Sequence, residues 1–118
     1  MRVPEISIEQ LQELQASGKP FLLLDVREEW ECKKYGSLPG SKRLSLQELP
    51  RALRMTPTEF KVTYGFELNR QTRIIFYCRS GSRSARATAL AIGEGYHAEN
   101  FAGSVLAWSR IDNSVQAY

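Results

Sequence analysis

Two short apolar runs, Phe21-Leu22-Leu23-Leu24-Asp25-Val26 and Ile74-Ile75-Phe76-Tyr77, limit this chain to few architectures. Neither alternates apolar with polar residues, so neither belongs to a sheet with one face in water. A strand covered on both faces reads as a continuous apolar run, and such strands build parallel sheets. Each run ends in residues that can do chemistry: Asp25 and Arg27 after the first, Cys78 and Arg79 after the second. Ligands of open α/β sheets bind beyond the carboxyl ends of the strands, so both ends are candidates for one site.

The rest of the pattern is mostly helical. Ser7-Ile8-Glu9-Gln10 predicts a capping box, Ile8, Leu11 and Leu14 give one helical stripe, and Gly18-Lys19-Pro20 ends it. A short charged helix is expected from Glu28 to Lys34, a turn at Gly36-Ser37-Leu38-Pro39-Gly40 and a brief strand near Arg43-Leu44. Leu46, Leu49 and Leu53 form another stripe. Pro57 opens a further helix that Phe60, Tyr64 and Leu68 continue at four-residue spacing. After the second buried run come a helix with small residues on one face (Ala85, Thr88, Ala89, Ile92) capped by Gly95, a short strand at Glu99-Asn100-Phe101, and a last helix from Val105. Strands alternating with helices, without a hairpin signature, predict a three-layer α/β fold: a central, mostly parallel sheet with helices on both faces. The whole chain, 1–118, reads as a single domain.

Cys78 sits where the second strand ends, followed by Arg79-Ser80-Gly81-Ser82-Arg83-Ser84 and then the helix. Backbone N–H groups of such a loop can turn inward to form an anion nest at the positive end of a helix. The same field lowers the pKa of a thiol from about 8.5 and favours the thiolate. Gly81 is expected to supply a positive φ in the tight loop. Ser80, Ser82 and Ser84 can donate hydroxyls, with Ser82 or Ser84 as a possible helix N-cap. Arg79 and Arg83 are the candidate contacts for an anionic substrate. The alternative for Cys78, a small inert core residue, leaves two flanking arginines without a purpose.

Composition narrows the class. With 42% hydrophobic and 25% charged residues and a net charge of +3, the chain has an ordinary globular composition. Its basic residues are scattered, without the runs that nucleic-acid binding needs, and no apolar run is long enough to span a membrane. The start, Met1-Arg2-Val3-Pro4-Glu5, resembles neither a signal nor a transit peptide. A working thiol fits a reducing compartment, so a cytoplasmic location is expected, with a mitochondrial pool left open. The solitary His97 leaves no zinc-type cluster and no local Cys–His pair, so no metal and no cofactor are expected. Cys32 lies in the charged stretch Glu29-Trp30-Glu31-Cys32-Lys33-Lys34 and reads as an incidental thiol rather than a resolving partner for Cys78.

Four segments, in order, resemble the rhodanese family of sulfurtransferases: Leu24-Asp25-Val26-Arg27-Glu28, Gly36-Ser37-Leu38-Pro39-Gly40-Ser41, Tyr77 to Ser84, and Gly95-Tyr96 with Phe101-Ala102-Gly103-Ser104 and Ala107-Trp108. Ser37 stands where a histidine is common in that family. The stretch Ala52 to Phe60, with Tyr64-Gly65, is similar to the small single-domain animal thiosulfate sulfurtransferases. The resemblance implies that Cys78 accepts sulfane sulfur as a persulfide, that Arg79 to Ser84 cradle it, and that Asp25 and Arg27 form a supporting ion pair. It also implies a small anionic donor such as thiosulfate and a thiol acceptor such as glutathione or thioredoxin. A monomer without nucleic-acid or membrane partners is expected. Three other readings stay open: a persulfide carrier that serves a protein partner, a non-catalytic binding module on this fold, and a cysteine phosphatase. The last needs a histidine where Tyr77 stands and an arginine where Ser84 stands, so this loop is one residue short for it.

Overall fold

The computed structural model describes residues 2–118. Strands β1 (Glu5–Ile6), β2 (Leu22–Asp25), β3 (Lys42–Arg43), β4 (Arg73–Tyr77) and β5 (His97–Phe101) form one sheet, every neighbouring pair parallel, in the order β1-β5-β4-β2-β3. The two apolar runs are its interior. Leu24 pairs in register with Phe76 and Asp25 with Tyr77, so β2 and β4 finish at the same level. That register brings Asp25 and Cys78 to one end of the sheet.

Alternate residues of these strands enter two separate cores. Leu24, Ile74 and Phe76 pack with helices α3 (Leu49–Leu53), α4 (Pro57–Tyr64) and α5 (Ser82–Gly93) through Leu49, Leu53, Phe60, Ala87 and Ala91. Leu23, Ile75 and Tyr77 pack on the opposite face with α1 (Ile8–Ser17) and α6 (Ser104–Trp108), through Leu11, Leu14, Val105 and Trp108. Covering both faces is what makes a continuous apolar strand stable, at about 1.5–3 kcal/mol for each large side chain removed from water. The face of α5 that packs on the sheet is Ser84, Ala87, Thr88 and Ala91, one position back from the expected Ala85, Thr88, Ala89 and Ile92. Ser84 is turned inward to the Cys78 sulfur, which rotates the helix so that Ile92 is exposed. Helix α2 (Glu29–Tyr35) contributes to neither core and lies beside the carboxyl ends of the strands.

Local signals held in most places. The capping box closes on both sides, with Gln10 N–H donating to Ser7 Oγ and Ser7 N–H to Gln10 Oε1. Past the end of α5, Gly95 takes φ +86° and the Tyr96 N–H donates to the Ala91 carbonyl at 3.0 Å. Leu68 does not continue α4: the helix stops at Tyr64, with the Gly65 N–H closing on the Lys61 carbonyl, and Leu68 enters the core from the loop beyond. The four-residue spacing persists there because both segments face the same core. The segment Glu99 to Phe101 belongs to an inner strand that begins at His97, flanked by β4 and by β1, which the sequence did not suggest.

Candidate active site

Cys78 follows β4 directly and is 1% exposed. The Gly81 N–H donates to its Sγ at 3.1 Å, and the Ser84 hydroxyl lies 3.4 Å from the same sulfur. Burial pushes the thiol pKa up. Hydrogen bonds from the Ser84 hydroxyl and from the backbone N–H groups of Ser84, Gly81 and Ser80 outweigh it, and the net direction is down. Donors rather than a neighbouring base therefore favour the thiolate form of this sulfur.

The inward turn of these N–H groups has a cause in the surrounding backbone. Three carbonyls of the loop are tied outward: Cys78 C=O accepts from Val105 N–H and Arg79 C=O from Leu106 N–H, both at 3.1 Å. Gly81 C=O accepts from Ala85 N–H and from the Asn100 side-chain amide. The start of α6 and the end of β5 thus act together as a clamp on the loop. Gly81 takes φ +97°, and a Cβ there would run into the Ala102 carbonyl. It is also the N-cap of α5, which corrects the expectation of Ser82 or Ser84 in that place: Ser82 opens the helix and Ser84 is turned to the sulfur.

Ser104 completes the clamp. It is fully buried and holds φ +50°, the only positive φ at a non-glycine among the described residues. Its hydroxyl accepts the Cys78 N–H at 3.1 Å and donates to the Phe101 carbonyl at 2.8 Å. A left-handed backbone costs a side chain on the order of 1–2 kcal/mol, and here it directs one hydroxyl at the amide of Cys78. The buried Asn100 Oδ1, beneath the loop, has no partner.

The three arginines are arranged differently from one another. Arg83 makes a two-point ion pair with Glu31 at 2.6 and 2.9 Å. Glu31 is 4% exposed, and the Arg83 hydrogen bonds hold its carboxyl down at about 2, against the opposing effect of burial. Arg27 is wholly buried and forks onto Asp25, with its Nη2 also donating to the Gly36 carbonyl. Arg79 pairs with no Asp or Glu side chain among the described residues; its Nε donates to the main-chain oxygen of Tyr118, whose ring lies 5.3 Å below the guanidinium. The Asp25–Arg27 pair is fully buried, at 2.7 Å. Asp25 also accepts from Cys32 Sγ at 3.3 Å, and burial followed by the Asp25 charge pushes the Cys32 thiol up to about 11.

Of the residues expected at the site, the structure brings Ser80, Gly81 and Ser84 to the Cys78 sulfur, ties Arg79 to Tyr118, Arg83 to Glu31 and Arg27 to Asp25, and leaves Ser82 at the first turn of α5. Ser80 and Ser82 lie exposed at the mouth. Among the aromatic residues, Trp108 is core and Trp30 is 60% exposed, while Tyr35 stacks on Tyr118 beside the loop. Glu31, Asn100, Ser104 and Tyr118 also contact the loop, and none of them was among the site residues expected from the sequence. Among the described residues no group of His, Cys, Asp and Glu is placed to hold a metal ion, and no helix is long and apolar enough to cross a membrane.

Comparison with known proteins is consistent with this geometry. The Rhodanese-like domain family matches residues 7–111. A human protein named thiosulfate:glutathione sulfurtransferase is 36% identical over 108 residues, 89% of this chain and 92% of its own. A sulfurtransferase from Allochromatium vinosum is 31% identical over 109 residues, 92% of this chain and 90% of its own. Among solved structures, a human single-domain sulfurtransferase superposes with a TM-score of 0.85 at 34% identity, covering 94% of this chain and 99% of that one.

Proposed function

The chain belongs to the rhodanese-like domain family, and from that premise we propose that it is a thiosulfate sulfurtransferase working through a persulfide on Cys78. The observation that carries this reading is the sulfur of Cys78, buried yet met by the Gly81 N–H and the Ser84 hydroxyl, with its pKa lowered. A thiol kept for packing has no need of those donors.

The cycle balances without further reagents. Cys78 thiolate attacks the outer sulfur of thiosulfate; a bond forms from Sγ to that sulfur, and the bond to the sulfonate breaks with its electron pair leaving on sulfite. The persulfide is again an anion, and the same N–H groups hold it. A thiolate acceptor then attacks the outer sulfur and departs as its own persulfide, restoring Cys78. Glutathione is the acceptor we propose, since a relative similar over most of the chain carries it in its name.

The cradle divides its work. The N–H groups of Ser80, Gly81 and Ser84 stabilise the thiolate. Arg79 receives the sulfonate, because Arg27 and Arg83 are already committed to Asp25 and Glu31. Arg83 shapes the loop from behind. We place the protein as a monomer in a reducing compartment, the cytoplasm foremost, where Cys78 stays free.

Steady-state sulfite release from thiosulfate in the presence of glutathione tests the proposal. Ping-pong kinetics that vanish in Cys78→Ser are expected. Hydrolysis of an aryl phosphate without sulfite release would overturn it.

A further inference from the structure

Tyr118 occupies Arg79, the loop arginine that makes no ion pair with an Asp or Glu side chain among the described residues. Its ring stacks on Tyr35 at 3.8 Å between centroids and 3° between planes. Its hydroxyl donates to Glu31 at 2.5 Å and accepts from Arg27 Nη1 at 3.2 Å. Burial and the Glu31 carboxylate hold that hydroxyl up at about 12, so it stays a donor at neutral pH. These contacts set the main-chain oxygen of Tyr118 on Arg79 Nε. The segment behind it is anchored: Val115 is buried in the core, the Gln116 N–H donates to the Tyr35 carbonyl at 2.8 Å, and Gly36 lies so close to Ser114 that a Cβ would not fit. Gln116 and Ala117, in contrast, are exposed. The anchor ends two residues short of the contact, and the Tyr118 side chain alone carries it the rest of the way.

We infer that Tyr118 sets the affinity for the sulfur donor, by serving as the resting ligand of Arg79 that the donor's anionic head must displace. The inference rests on the proposed role of Arg79. The donor's sulfonate offers the guanidinium several ionised oxygens for a two-point contact, against the single Nε bond that Tyr118 supplies, so the exchange runs toward the donor. It is not free. The fraction of molecules with Arg79 released scales the apparent donor affinity, and each contact that holds Tyr118 in place lowers that fraction. The acceptor step follows loss of the sulfonate and does not involve this exchange. Tyr118 is thus a residue that acts on the donor half of the cycle through Arg79.

The test is the donor KM and the rate of Cys78 persulfide formation in Tyr118→Ala, Tyr118→Phe, Arg79→Ala and the Tyr118→Ala/Arg79→Ala double variant. Thermal melts and the glutathione-dependent half-reaction are measured alongside. Tyr118→Ala should lower the thiosulfate KM by roughly three- to ten-fold, with Tyr118→Phe, which keeps the stack and loses the hydroxyl, falling between it and wild type. The glutathione half-reaction should not change. Arg79→Ala should raise the KM and cancel the effect of Tyr118→Ala in the double variant. A raised KM in Arg79→Ala with an unchanged or higher KM in both Tyr118 variants overturns the role of Tyr118 and leaves the proposed function intact. An Arg79→Ala variant with wild-type KM overturns the assignment of Arg79, and the inference with it.

Discussion

Glu31 of α2 holds Arg83 of the active loop in a two-point ion pair, although 52 residues separate them. The pair ties the first turn of α5 to the helix beyond β2, and it leaves Arg83 already committed to a carboxylate. Glu31→Ala leaves the half-buried guanidinium without its partner and should cost about 1–3 kcal/mol in urea unfolding at pH 7. The folded pKa of Glu31, about 2, lies below its ordinary value of 4.5, so this carboxylate adds stability above pH 4.5. That contribution is lost as pH falls from 4.5 toward 2. Glu31→Ala should therefore show a shallower loss of stability than wild type across that window. An equal loss in both proteins would assign the acid sensitivity to other carboxylates.

Ser104 offers a test in which stability and activity part. Ser104→Ala strands the buried Cys78 N–H, at about 1–3 kcal/mol, and keeps the left-handed backbone. Ser104→Gly strands the same N–H but relieves the strain, recovering on the order of 1 kcal/mol. The glycine variant should melt at a higher temperature than the alanine variant. Both should form the Cys78 persulfide about ten-fold more slowly than wild type, the scale of one lost hydrogen bond of about 1.4 kcal/mol. Persulfide formation in Ser104→Gly at the wild-type rate would show that the hydroxyl serves packing alone.

The two cysteines should separate by pH. Cys78 is lowered from the ordinary thiol value and Cys32 is pushed up to about 11, so at neutral pH Cys78 carries nearly all the thiolate. Because its folded pKa is depressed, the Cys78 thiolate adds stability above the ordinary thiol pKa and loses it as pH falls through the folded one. In rate-versus-pH alkylation with a small reagent followed by peptide mass mapping, Cys78 should modify first, with a midpoint below the ordinary thiol value. Ser84→Ala should move that midpoint upward. Preferential labelling of Cys32 at pH 7 would contradict the assignment of the thiolate.

What the sequence disclosed follows the range of the interactions involved. Leu22–Asp25 and Arg73–Tyr77 were legible because burial on both faces leaves a contiguous apolar signature, and the Ser7 capping box because its partners lie three residues apart. The Cys78 loop was legible for the same reason, since its donors are its own next residues. Strand β1 was not: two residues have no periodicity, and only pairing with β5 makes them a strand. Glu31 reads as a solvated helix charge until Arg83 arrives, and Ser104 as a turn residue until Cys78, 26 positions away, meets it. Tyr118 and Glu31 are 87 positions apart, and no local pattern marks either as part of the site.

The central claim is that Cys78 carries sulfur as a persulfide, and intact-protein mass after incubation with thiosulfate tests it most directly. Wild type should gain the mass of one sulfur atom and lose it again on addition of glutathione or cyanide, while Cys78→Ser gains nothing. Unchanged wild-type mass under those conditions, or an equal gain in Cys78→Ser, would contradict the account.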